Sequence, residues 1–132
     1  MTRILIRQGR KKPTGIDSAY VRRLAGRVLR GERCRKGVCI VFVDADKMRL
    51  LNNEFLRRNA PTDVLAFDGE GDYLGDVVVC RDVARENSLA YNTTFVYELG
   101  LYVVHGLLHL LGYDHASPRQ GKKMRERDRR YL

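Results

Sequence analysis

Residues 95–111 read FVYELGLYVVHGLLHLL, and the chain continues as GYDH over 112–115. A helix that is apolar almost all round has to be covered almost all round. The segment therefore predicts a central, buried helix. It falls short of the ~20 apolar residues that a membrane span requires. Gly112 is well placed to terminate it, since a helix commonly ends on a residue free to turn left-handed.

Working outward, the neighbouring segments supply the elements such a helix needs as cover. VCIVFV (38–43) is short, continuous and β-branched, and predicts a buried strand. DVLAF (63–67) and LGDVVVC (74–80) predict two further strands joined by the Gly/Asp-rich stretch 68–73. Arg3 to Arg7, RILIR, alternates like a strand. Asp17 or Ser18 is placed to cap a helix carrying Tyr20, Val21, Leu24 and Val28, and Asp44 one carrying Met48, Leu51 and Phe55 that stops before Pro61. Residues 82–91 predict a helix anchored by Val83, Leu89 and Ala90. Pro118 opens a last helix, predicted to run to about residue 130 after the capping-box spacing Ser117-Pro118-Arg119-Gln120. The expected fold is α+β: a small mixed β-sheet of about four strands packed with about five helices. No repeat or linker divides the 132 residues, and a 44% hydrophobic composition suits one core, so residues 1–132 read as a single domain.

All three histidines fall on or just after the central helix, in His105-Gly-Leu-Leu-His109-Leu-Leu-Gly-Tyr-Asp-His115. Positions four apart on a helix are turned by about 40° and separated by about 6 Å along the axis. His105 and His109 then face one way, and a turn at Gly112 is able to return His115 to the same point. Three imidazoles suit one zinc ion with an open fourth position for water, the arrangement of catalytic rather than structural sites. Cys80, at the end of a predicted strand, is the best candidate for a fourth ligand, against the alternative of an inert buried thiol. Cys34 and Cys39 are assigned no site.

The spacing matches the metzincin pattern His-Glu-x-x-His-x-x-Gly-x-x-His except where that pattern has its general-base Glu. Here that position is Gly106, which suggests close packing against a neighbouring element. A zinc-dependent peptide or amide hydrolase stays as an alternative, but without its proton acceptor. Phosphodiester cleavage depends less on such a base, because much of the work is charge stabilisation.

Charge points the same way. The net +9 is unevenly spread: residues 1–36 hold twelve Lys/Arg against two acids, and 119–130 hold seven against two. The middle, 37–118, has six against twelve, with Asp68, Glu70, Asp72 and Asp76 in one short segment. Basic ends are the footprint of a phosphate-binding protein. An acidic middle leaves open a non-catalytic RNA-binding factor whose zinc only holds the fold. Three cysteines, which cannot all pair, and a start without an apolar leader segment point to a reduced, cytoplasmic protein with no membrane association.

The stretch His105-Gly106-x-Leu108-His109-Leu110-x-Gly112-Tyr113-Asp114-His115 resembles the signature of the YbeY family, also called the rRNA maturation factor family. So do Leu51-Asn52, Pro61-Thr62-Asp63-Val64-Leu65-x-Phe67 and Leu74-Gly75-Asp76, and together the likeness runs from about residue 38 to 115. The resemblance implies a zinc-dependent endoribonuclease, one Zn²⁺ per chain, acting on single-stranded RNA. It further implies roles in maturing the 3′ end of small-subunit (16S) ribosomal RNA and in ribosome quality control, with ribosomal proteins or assembly factors as partners. The implied metal ligands are His105, His109 and His115. Many family members carry an arginine four residues after the asparagine of the Leu-Asn pair; here that residue is Leu56, and Arg57 or Arg58 is the expected substitute. Ala66 stands where the family often has Ser. Asp114 is expected either to support a coordinating imidazole or to stabilise the turn after Gly112.

Overall fold

The strand Gly37–Val43 ends where Asp44 caps the next helix, whereas the strand Tyr73–Cys80 runs directly into a helix through Cys80, which makes no side-chain cap. The structure, a computed structural model, describes residues 3–9, 15–114 and 118–132. The elements in order are β1 (Ile4–Arg7), α1 (Ser18–Gly31), β2 (Gly37–Val43), α2 (Ala45–Leu56), β3 (Val64–Asp68), β4 (Tyr73–Cys80), α3 (Arg81–Ala90), α4 (Phe95–Leu110) and α5 (Pro118–Tyr131). The four strands lie in the order β1-β2-β4-β3. β1, β2 and β4 are parallel, and β3 returns antiparallel to β4 as the edge of a hairpin. The predicted α+β class and the mixed sheet are both found.

The sheet has cover on both faces, which explains why β2 and β4 read as continuous apolar runs rather than alternating ones. On one face Val38, Ile40, Phe42, Val77 and Val79 meet α1 and α4 in the main core, with Leu24, Val28, Val103 and Leu107 fully buried. On the other face Leu65, Val78 and Cys80 meet Met48 of α2 in a smaller cluster. Helix caps follow the sequence reading. Asp17 accepts from the Ala19 amide at 2.9 Å, and Asp44 accepts from the Lys47 amide at 2.8 Å. Each such cap contributes about 1 kcal/mol.

Two expectations need correcting. In α3, Leu89 is 86% exposed and Ala90 is exposed as well, while Ala84 is the residue fully buried. The helix meets the core through small residues on a narrow stripe, which a search for large apolar anchors overlooks. In α2, Phe55 is 55% exposed, because the helix reaches the sheet through Met48 with Ala45 and Leu51 beside it; the Phe55 ring instead packs edge-on to Phe67 of the edge strand at 4.9 Å. No helix among the described residues is long and apolar enough to cross a membrane.

Candidate metal centre

The helix that carries the histidines is fixed from both ends. Thr94 caps α4, accepting from the Tyr97 amide at 3.0 Å. At the other end the chain leaves through Gly112 at φ +101°, a conformation that L side chains rarely adopt, and the Tyr113 amide donates back to the Leu108 carbonyl at 3.0 Å. Midway, a Cβ on Gly106 would collide with Val77 Cγ1 and come within 3.1 Å of Val64 Cγ2. Gly106 is thus where α4 rests on β3 and β4, and it faces the sheet. A general-base carboxylate at that position would point into packed valines, away from the histidines.

His105 and His109 sit one turn apart on α4, His105 half-buried and His109 exposed. The third implied ligand, His115, lies outside the described residues. Among the described residues no three His, Cys, Asp or Glu side chains converge as a metal cluster would. The donors present nevertheless suit zinc: two imidazoles share a helix at ligand spacing, and one of them already has a carboxylate on its ring. That carboxylate is Asp128 of α5, with Oδ2 2.5 Å from His105 Nε2. Sequence reasoning missed it. The signal was available, because Met124, Asp128 and Tyr131 form the inward stripe of a helix whose remaining residues are mostly Lys and Arg.

The turn after the helix is held by a second polar junction. Glu32, the residue after α1, accepts from the Tyr113 hydroxyl at 2.6 Å and from the Tyr131 hydroxyl, with Arg127 3.8 Å away. Burial works against its charged form, but the two tyrosine hydrogen bonds and the charges of Arg127 and Arg130 outweigh it and hold the Glu32 carboxyl below its ordinary value. The same burial, together with the carboxylate, pushes the Tyr131 phenol up to about 12. Asp114 is exposed and lines a cleft of about 610 Å³ with Glu32, Gln120, Lys123 and Arg127.

The remaining candidates belong to other elements. Arg57 and Arg58 are exposed at the end of α2, the helix on the opposite face of the sheet, and no hydrogen bond or ion pair joins them to the histidines among the described residues. Arg57 adopts a left-handed conformation (φ +56°) and its amide donates to the Asn53 carbonyl at 3.0 Å. The buried Asn52 side chain donates to the Ala60 carbonyl at 2.8 Å, tying down the segment that holds both arginines. Cys80 is fully buried in the cluster on the α2 face, with its thiol pushed up by burial, on the far side of the sheet from α4.

The sequence model of the family described as Endoribonuclease YbeY matches residues 8–132. The chain belongs to the YbeY family. A relative in Bdellovibrio bacteriovorus named Endoribonuclease YbeY is 41% identical over 92 residues, covering 69% of this chain and 61% of that protein. One of the same name in Carboxydothermus hydrogenoformans is 39% identical over 106 residues, covering 76% and 74%. A Thermotoga maritima protein whose structure was solved in solution superposes with a TM-score of 0.70 at 31% identity, covering 99% of this chain and 86% of that one. Against the Bdellovibrio family member the match spans about three fifths of the longer chain.

Proposed function

We propose that this member of the family is a zinc-dependent endoribonuclease for single-stranded RNA, acting on the 3′ end of small-subunit ribosomal RNA and in ribosome quality control in the cytoplasm. The observation that carries the reading is the placement of His105 and His109 one turn apart at the open end of α4 in a chain of this family. With His115 they would hold one zinc ion, which when bound supplies an activated water and a positive charge beside the phosphate. His109 is the exposed member of the pair, so a large substrate would be able to approach it. Arg57 and Arg58, held by the Asn52-anchored segment, are the guanidiniums proposed to neutralise charge developing on the phosphate. Asp114 is proposed to support the imidazole of its neighbour. Ribosomal proteins or assembly factors are the proposed partners. The peptidase alternative loses weight because Gly106 packs against Val77 and Val64 and no acid can occupy its place.

Cleavage of a labelled single-stranded RNA, with and without a chelator, tests the proposal. The wild type should cut in the absence of chelator, and His109→Ala should lose both zinc and cleavage while keeping its fold. Cleavage that survives both the chelator and the substitution would refute it.

A further inference from the structure

A short polar link between the histidine-bearing helix and the last helix is made by a residue that the metal motif does not contain. Asp128 is only 9% exposed, and its Oδ2 stands 2.5 Å from His105 Nε2. Its Oδ1 is buried with no hydrogen-bond partner among the described residues. A buried carboxylate with an unsatisfied oxygen costs stability, and an apolar residue of similar volume would dock α5 with less penalty. Docking has its own means: Met124 and Tyr131 are buried on either side in the main core, and Tyr131 and Arg127 reach Glu32. Asp128 therefore has a task that the packing of α5 does not explain.

We infer that Asp128 is a positioning residue for His105: by accepting the Nε2–H it fixes one tautomer and one orientation of the ring. A neutral imidazole has one N–H and one lone pair, and a ligand ring is held ready when the N–H is taken by a carboxylate, which also raises its basicity. The junction at Glu32 serves the same end from the other side, since it ties Tyr113, two residues before His115, to α5. α5 thus braces the motif at its first ligand and next to its last. This assignment rests on the metal-binding reading above and deepens it.

The test compares wild type, Asp128→Asn and Asp128→Ala in two measurements. Long-range nitrogen-15 NMR on the metal-free chain reads the His105 tautomer, and competition with a chromogenic chelator reads zinc affinity. The wild type should show the Nε2-protonated ring. Asp128→Ala should lose that preference and bind zinc about 10- to 100-fold more weakly. Asp128→Asn, similar in size and able to accept without charge, should fall between, and it decides the matter if the alanine variant does not fold. Zinc bound equally by wild type and the folded variants, or a tautomer indifferent to residue 128, overturns the assignment alone. A wild-type chain that takes up no zinc overturns the metal reading itself.

Discussion

Gly106 shows how one residue excludes a chemistry and permits a fold. The metzincin-like spacing of the histidines invites a protease reading until the position between them is placed against Val77 and Val64. Any side chain there must displace Val77 or lift α4 from the sheet. Gly106→Ala is accordingly expected to lower unfolding free energy by about 1–3 kcal/mol, the usual range for overpacking a well-filled interface. Urea melts measure this directly; an alanine variant as stable as the wild type would mean that the helix is free to rise. The histidine spacing was legible because helical periodicity is a property of neighbours in sequence. The pairing of Asp128 with His105 was not, because the two lie 23 positions apart and only the packing of α5 on α4 brings them together.

At the scale of elements, the strands were legible from their β-branched apolar runs and several helices from the residues that start or stop them. Asp17, Asp44 and Gly112 mark ends by local hydrogen bonding or backbone freedom, and those ends are where they were expected. The face that an element buries was less legible where it is small. α3 docks through Ala84 and α2 through Met48, so Leu89 and Phe55 mislead. Elements are also joined by charge in ways that no window of sequence displays, as at Glu32, which ties α1 to the turn after α4 and to α5. Because the folded state holds the Glu32 carboxyl below its ordinary value, its stabilisation is complete above about 4.5 and is lost as pH falls through the lowered value. Glu32→Gln should cost about 1–3 kcal/mol at pH 7, as expected when a charged acceptor is removed from two hydroxyls. The difference from wild type should shrink towards pH 3. Tyr131, raised to about 12, adds the opposite limb: its share of the junction is kept up to about pH 10 and lost through pH 12. A pH-independent gap between the two proteins would show that the junction is not ionic.

For the molecule as a whole, the question is where a polyanion lies on a chain whose middle is acidic. α1 answers part of it, because Arg22, Arg23, Arg27 and Arg30 are exposed along one cleft of about 670 Å³ on the helix that covers the same sheet face as α4. Arg22 is partly engaged with the Ile4 carbonyl at 3.3 Å, whereas Arg23 and Arg27, one turn apart, project as a pair. On α5 part of the basic character is neutralised internally, since Arg127 lies beside Glu32. For the proposed RNA substrate, the electrostatic attraction should therefore run along α1 more than the basic residues at both ends of the sequence suggest. Binding should weaken steeply with salt, and neutralising Arg23 and Arg27 together should reduce the slope of log affinity against log salt by about 0.7 for each phosphate that no longer meets a guanidinium. Because phosphates position a strand without identifying it, affinity should fall alike for all single-stranded sequences and the site of cleavage should not move. Titrations of a labelled strand at several salt concentrations decide between the two ends: an unchanged slope in the Arg23→Gln/Arg27→Gln protein would shift the binding face from α1 to the outer side of α5.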